Sequence, residues 1–232
     1  MDIDLAGRTS NDLGHIRSLV RDVCVLETEP DGMEFDAAFL EASRVKEDAD
    51  YEGVRVRFQA TLARARIPMQ IDISFGDVIV PRPTVIEYPT LLEFPPPILA
   101  AYPRETVVAE KLEALTILGL LNSRLKDYYD LWLLSRLYPF DGALLVEAIR
   151  ATFQHRGTVV EPLPVGLAPA FSAEPAKPVQ WRAFLRRSRL VEEPVALVEL
   201  VTAVRRFSSP PLSAAAANAP FHSTWRPGRP WT

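Results

Sequence analysis

Asp2 and Asp4 stand two residues apart in the opening run MDIDLAG. On a strand that spacing puts both carboxylates on one face, about 6.8 Å apart along the chain. Two acids so placed raise each other's pKa unless a cation neutralises them. A third acid, Asp72, lies in MQIDISFGD on the polar side of another alternating run, with Gln70 and Ser74. Carboxylate oxygens are hard donors that suit Mg²⁺. Three carboxylates on adjacent strands can clamp two such ions ~4 Å apart, activating an attacking hydroxyl and stabilising the leaving oxygen. Asp2, Asp4 and Asp72 are therefore the candidate metal ligands, and Asp72 is also a candidate base.

The other chemistry-bearing stretch is PRETVVAEKLEALTILGLLNSRLKDYYDLWLL, residues 103–134. At 3.6 residues per turn, Val107, Val108, Ala114, Leu115 and Leu118 fall within ~60° of Lys111, so a lysine sits inside an apolar stripe. An unpaired ammonium there costs several kcal/mol, on the order of a buried charge. Asp127 and Asp130 share one face of the following helix with Leu131 and Leu134. Lys111 is the candidate phosphate ligand, a point charge against the transferring group. Asp127 would orient Lys111 or a ribose hydroxyl, and Asp130 would hold the start of its helix. A plainer reading stays open beside this one. Lys111 can lay its stem on the core and reach water, Asp127 can be a first-turn acid favoured by the helix dipole, and Lys126–Asp130 can be a surface i,i+4 pair.

These residues need a sheet and a helical layer to position them. Residues 54–63 alternate Val54, Val56, Phe58, Ala60 and Leu62 against Arg55, Arg57, Gln59, Thr61 and Ala63, and residues 69–75 alternate likewise. The spacing predicts two strands paired antiparallel across a break at Ile67–Pro68. Further expectations are a strand over residues 2–5, a helix over 11–20 capped by Ser10 or Asn11, and a short strand at Val23–Leu26. Small strand pieces are expected near Met33–Phe35 and Ser43–Lys46. The proline-rich run 81–103 reads as extended cover for the sheet. Helices are expected over 104–118, 124–137, 142–155, 177–188 and 192–207. The fold class is thus α+β, a mixed sheet followed by a helical C-terminal half. The expected division is a sheet region 1–102, a helical region 103–207 and a disordered Pro/Ala-rich tail 208–232.

Composition narrows the partners. Apolar residues make up 48% of the 232 and charged ones 24%, ordinary globular usage. The net charge of −4 gives no general attraction to nucleic acid, so any such contact must be a local patch. One such patch is WRAFLRRSRL, residues 181–190, where Trp181 and Phe184 sit among Arg182, Arg186, Arg187 and Arg189. It reads equally as a docked helix with a solvated basic side. The single cysteine, Cys24, excludes a disulfide framework and fits a reducing cytoplasm, and no apolar run has the length of a membrane span.

The DIDL opening, the IDISFGD run and above all EKLEALTILGLLNSRLKDYYDLWLL together resemble the AbiEii-type nucleotidyltransferase toxins, of the DNA-polymerase-β-like superfamily, over about residues 1–205. The resemblance implies a metal-dependent enzyme of a toxin–antitoxin or phage-defence pair that moves NMP from an NTP to an acceptor hydroxyl, tRNA 3′ ends being one such acceptor. It implies Mg²⁺ on Asp2 and Asp4, Asp72 as the third strand acid, and Lys111 as the catalytic lysine. Lys126, Asp127 and Asp130 match the final motif, in substrate binding. NTP, a tRNA acceptor and a cognate antitoxin are the implied partners. The family's upstream Gly-Gly-Ser/Thr segment has no counterpart ahead of Asp2, and a start site placed too far downstream is the expectation. The alternatives are a non-catalytic remnant that binds an antitoxin or RNA, and a small-molecule modifier like the aminoglycoside nucleotidyltransferases.

Overall fold

In the computed structural model the chain divides into two compact units, Met1–Asp77 and Val78–Thr232. Residues 2–28, 30–48, 51–188, 190 and 196–232 are described. The division falls 25 residues earlier than the boundary expected after residue 102, because the proline-rich run belongs with the helices.

The first unit is a four-stranded sheet in the order β1-β4-β3-β2 with one helix. β1 (Asp2–Gly7) pairs parallel with β4 (Ala65–Phe75). β3 (Tyr51–Leu62) pairs antiparallel with both β4 and β2 (Met33–Asp48). The antiparallel β3–β4 pair follows from the double alternation in the sequence. Its turn lies at Ala63–Arg64, and β4 runs straight through Ile67–Pro68, where a break was expected. The two short pieces expected near Met33 and Ser43 are one long strand with a register shift between Asp36 and Glu41. Helix α1 (Leu13–Cys24) is capped by Asp12, whose carboxylate accepts from the His15 N–H, and not by Ser10 or Asn11. It extends over Val23, where a strand was expected. Ile16 and Val20 of α1 pack with Val54, Val56 and Ile73 in one apolar core. That core takes one face of the sheet and leaves the other polar.

The second unit is mostly helical. β5 (Thr84–Glu87) and β6 (Ile98–Ala101) form an antiparallel hairpin in the proline-rich run, a sheet of their own. α2 (Arg104–Leu118), α3 (Leu125–Leu137), α4 (Gly142–His155), the short α5 (Pro169–Ala173), α6 (Ala176–Arg187) and α7 (Leu197–Ala216) follow. β7 (Phe140–Asp141) and β8 (Thr224–Trp225) tie the chain end to the start of α4. Their core gathers Leu112, Leu115, Tyr128, Leu131, Ile149, Phe153 and Phe207.

The expected disordered tail is instead ordered and packed. α7 runs through Pro210 and Pro211 to Ala216, and Trp225 is 4% exposed. A proline inside a helix leaves the carbonyl four residues back without its N–H partner. For Pro211 that carbonyl is Phe207, which accepts the Trp231 indole N–H at 2.8 Å. The same device recurs at α3: Pro139 cannot reach the Ser135 carbonyl, and the Trp225 indole N–H takes it at 2.6 Å. Arg150 closes the end of α7 by donating to the Ala214 and Ala219 carbonyls. Low sequence complexity concealed a segment held by two tryptophans.

Candidate active site

The polar face of the sheet is built in rows. In β1 and β4, Asp4 is level with Asp72 and Asp2 with Gln70; in β4 and β3, Asp72 is level with Arg55 and Gln70 with Arg57. Residues in register on neighbouring strands share a face, so Asp4–Asp72–Arg55 forms one row and Asp2–Gln70–Arg57 the next. Leu5, Ile73 and Val54, one residue along each strand, point to the other face. The D-x-D alternation and the R-V-R alternation are thus two halves of one surface. Arg55, Arg57 and Gln70 were not singled out in the sequence, although the alternation of 54–63 placed both arginines on the polar side.

Arg55 grips Asp72 with both prongs of its guanidinium, Nε to Oδ1 and Nη2 to Oδ2, each at 2.7 Å. Gln70 adds a third bond, Nε2 to Oδ2 at 3.0 Å. The hydrogen bond from Arg55 outweighs the opposing effect of burial and holds the Asp72 carboxyl below the usual range. Asp4 differs: it is exposed, and no hydrogen bond or ion pair holds it among the described residues.

Do these residues fit a divalent cation? A carboxylate has roughly four acceptor sites, and three on Asp72 are taken, leaving one on Oδ1. Asp4 offers its whole carboxylate on the adjacent strand. The donors are hard, anionic and on one face, which fits Mg²⁺. The side chain of Asp2, the third expected ligand, lies outside what is described. Among the described residues no group of three His, Cys, Asp or Glu donors is assembled.

Lys111, in the second unit, is neither snorkelling nor alone. Its Nζ donates to Asp127 Oδ1 at 2.8 Å and lies 2.9 Å from Asp130 Oδ2, with its side chain only 19% exposed. Lys126 pairs with the same Asp130 oxygen at 2.7 Å and is largely exposed. Burial alone would pull the Lys111 ammonium down. The charges and hydrogen bonds of Asp127 and Asp130 outweigh it and hold the group above an ordinary lysine. Of the two partners expected for Asp127, Lys111 is the one it bonds in the structure. Asp130, expected to hold the start of α3 and to take part in substrate binding, lies within ion-pair distance of both lysines.

The turn between α2 and α3 makes this pairing possible. Gly119 ends α2 with φ +48°, a left-handed conformation that favours glycine. Asn122, fully buried, accepts the Arg124 N–H on its Oδ1, and its carbonyl accepts the Lys177 ammonium at 2.7 Å. The N-cap of α3 is Arg124, which makes no side-chain capping bond. Sequence reasoning also missed the most buried charge of α2. Glu113, 4% exposed, accepts from Arg156 at 2.9 Å and Thr158 at 2.6 Å. The basic helix α6 buries Trp181 against Phe184, so that ring offers no face to a nucleobase, and Arg189 lies outside the described residues.

A family model described as the nucleotidyl transferase AbiEii toxin of the type IV toxin–antitoxin system matches residues 1–217. The chain belongs to the AbiEii family. No curated protein matches it. Among solved structures, it is similar to a protein assigned as a nucleotidyltransferase from Helicobacter pylori, at 16% identity and TM-score 0.43, over 94% of this chain and 78% of that one. It is also similar to JHP933 from Helicobacter pylori, at 16% identity and TM-score 0.41, over 94% and 75% of the two chains. Its family is that of the AbiEii nucleotidyl transferase toxins, and its fold is a mixed sheet followed by helices. No helix among its described residues is long and apolar enough to cross a membrane.

Proposed function

We propose that this AbiEii chain transfers a nucleoside monophosphate from an NTP to an acceptor hydroxyl, releasing pyrophosphate. The observation that carries the reading is the level pair Asp4–Asp72 on the open polar face of the sheet. Asp4 and the free lone pair of Asp72 Oδ1 would hold Mg²⁺, which when bound supplies Lewis-acid stabilisation of phosphoryl oxygens. Asp2, two residues before Asp4 in the sequence, is the remaining candidate ligand. Asp72 serves here as a ligand and not as the base, because a carboxyl held below its usual range is a weak proton acceptor.

Lys111 has three N–H donors. Asp127 and Asp130 take two and fix its direction, leaving the third for a phosphate oxygen. Lys126, exposed beside Asp130, adds positive charge for the polyphosphate. The acceptor is RNA, with tRNA 3′ ends first in line, and a cognate antitoxin is the expected counterpart in the cell. The test incubates the purified chain with each α-labelled NTP, total RNA and Mg²⁺, with and without chelator. Label in the tRNA band that disappears with chelator supports the reading. No incorporation from any NTP, with RNA or with small hydroxyl acceptors, overturns it.

A further inference from the structure

The proposed reaction leaves a buried cation of the second unit without a role. Lys177, near the start of α6, is 3% exposed. Its Nζ donates to the Asn122 carbonyl at 2.7 Å and lies 4.8 Å from the centre of the Phe171 ring. Among the described residues no carboxylate pairs with it. An ammonium in such surroundings is costly to bury, and an apolar side chain of similar length would fill the same space without that cost. Lys111 differs, because two acids answer its charge.

What this ammonium holds is the turn between the helix of Lys111 and the helix of Asp127. Residues 119–124 join α2 to α3, and the Lys111–Asp127 bond spans that link. Asn122 sits inside the turn, fully buried. Its N–H donates to the Gly119 carbonyl at 3.3 Å, and its Oδ1 accepts the Arg124 N–H at 2.7 Å. Its own carbonyl takes its donor from Lys177. A buried backbone carbonyl needs such a donor, since water does not supply one. The ring beside the ammonium reaches the far side of the same segment. Phe171 stacks on Tyr128 with ring centres 4.6 Å apart, and the Tyr128 hydroxyl donates to the Gly166 carbonyl at 2.8 Å. Lys177 thus bonds Asn122 ahead of Lys126 and Asp127, and through Phe171 it backs Tyr128 immediately after them.

We propose that Lys177 is a positioning residue for nucleotidyl transfer: by fixing the Asn122 turn and backing Tyr128, it sets α3 so that Asp127 and Asp130 aim Lys111 at the phosphate. This role rests on the reading of Lys111 as a phosphate ligand given above. Lys177 itself is too buried to touch a substrate. Its bond to the Asn122 carbonyl is short and directional, which apolar packing is not. Precision matters here, because a displacement of about 1 Å at a reacting centre costs up to ~100-fold in rate.

Two readouts on the full chain separate this role from a contribution to folding. The first is label transfer by Lys177→Met, normalised to folded protein. Its kcat is expected to fall about tenfold or more with KM for the RNA unchanged, because Lys177 touches neither the RNA nor its binding groups. The second needs no turnover: pulsed acetylation of lysine amines read by mass spectrometry, below the melting temperature of each variant. Lys111 is expected to react about tenfold faster in Lys177→Met, with exposed Lys126 as the internal standard. Lys177→Arg keeps a cationic donor for the Asn122 carbonyl, and it is expected to hold both readouts within about threefold of the wild type. A wild type without transfer overturns the proposed reaction, and the acetylation then decides the positioning by itself. Folded Lys177→Met with wild-type values overturns the positioning role, as does a folded Lys177→Arg that loses as much as Lys177→Met.

Discussion

The two units treat their acids in opposite ways. On the sheet, Asp4 stands open while its neighbour Asp72 is held by Arg55 and Gln70. Among the helices, Asp127 and Asp130 are both spent on Lys111 and Lys126, and the four side chains sum to zero charge. A neutral, mutually bonded cluster stabilises a fold and presents fixed donors. An unpaired carboxylate on an exposed face contributes little to stability and remains available to a cation. The contrast separates acids spent on holding lysines from an acid left open to a cation, and it assigns different consequences to removing them.

The largest effect is expected at Lys111. Lys111→Met leaves Asp127 without the cation it bonds and Asp130 with only the exposed Lys126, and the loss is about 2–3 kcal/mol, below the full cost of breaking a deeply buried pair because Lys126 remains and 15–21% of each acid stays exposed. Urea denaturation measures it, and an unchanged midpoint would break the distinction between the units.

Next comes the tail. Trp231→Phe strips the Phe207 carbonyl of its donor and costs about 1–2 kcal/mol. Pro211→Ala restores a backbone N–H to that carbonyl, so it should recover more stability in the Trp231→Phe background than in the wild type. A double-mutant cycle with no coupling would contradict the replacement of a missing backbone donor by an indole.

A smaller effect belongs to the Arg55–Asp72 pair. Arg55→Gln is expected to cost about 1 kcal/mol, given that both side chains are a quarter exposed. Asp72 has a lowered pKa when folded, so its contribution is present above the ordinary carboxylate range and lost as pH falls through the lowered value. Lys111 has a raised one, so its contribution is present below the ordinary lysine range and lost as pH rises through the raised value. Thermal melts should therefore show an acid limb that Arg55→Gln flattens and an alkaline limb that Lys111→Met flattens. Limbs that both variants leave in place would contradict the two pairings.

Much of this was legible in the sequence, because it depends on local periodicity. The alternation of Val54–Leu62 and Met69–Phe75 gave the antiparallel pair and its two faces, and the 3.6-residue period placed α2, α3 and α4 almost to the residue. The D-x-D spacing put Asp2 and Asp4 on one side of β1. Long-range pairings were not legible. Nothing near Pro211 announces that Trp231, twenty residues on, replaces the lost donor, nor that Arg55 grips Asp72 across seventeen residues. Asp130 was assigned to its own helix because i,i+4 logic sees Lys126 and not Lys111 on the helix before. The ordered end of α7 was hidden for the same reason: prolines end helices only when no other group answers their orphaned carbonyls.

The smallest structural effect and the largest functional one are expected from a single substitution, Asp4→Asn. With no partner to lose among the described residues, stability should change by no more than about 0.5 kcal/mol. Label transfer from α-labelled NTP, measured on the wild type and on Asp4→Asn under Mg²⁺ and normalised to folded protein, is the direct test. Transfer abolished with an unchanged melting temperature is the expected result. Transfer at the wild-type rate would contradict the assignment of chemistry to the open acid of the sheet.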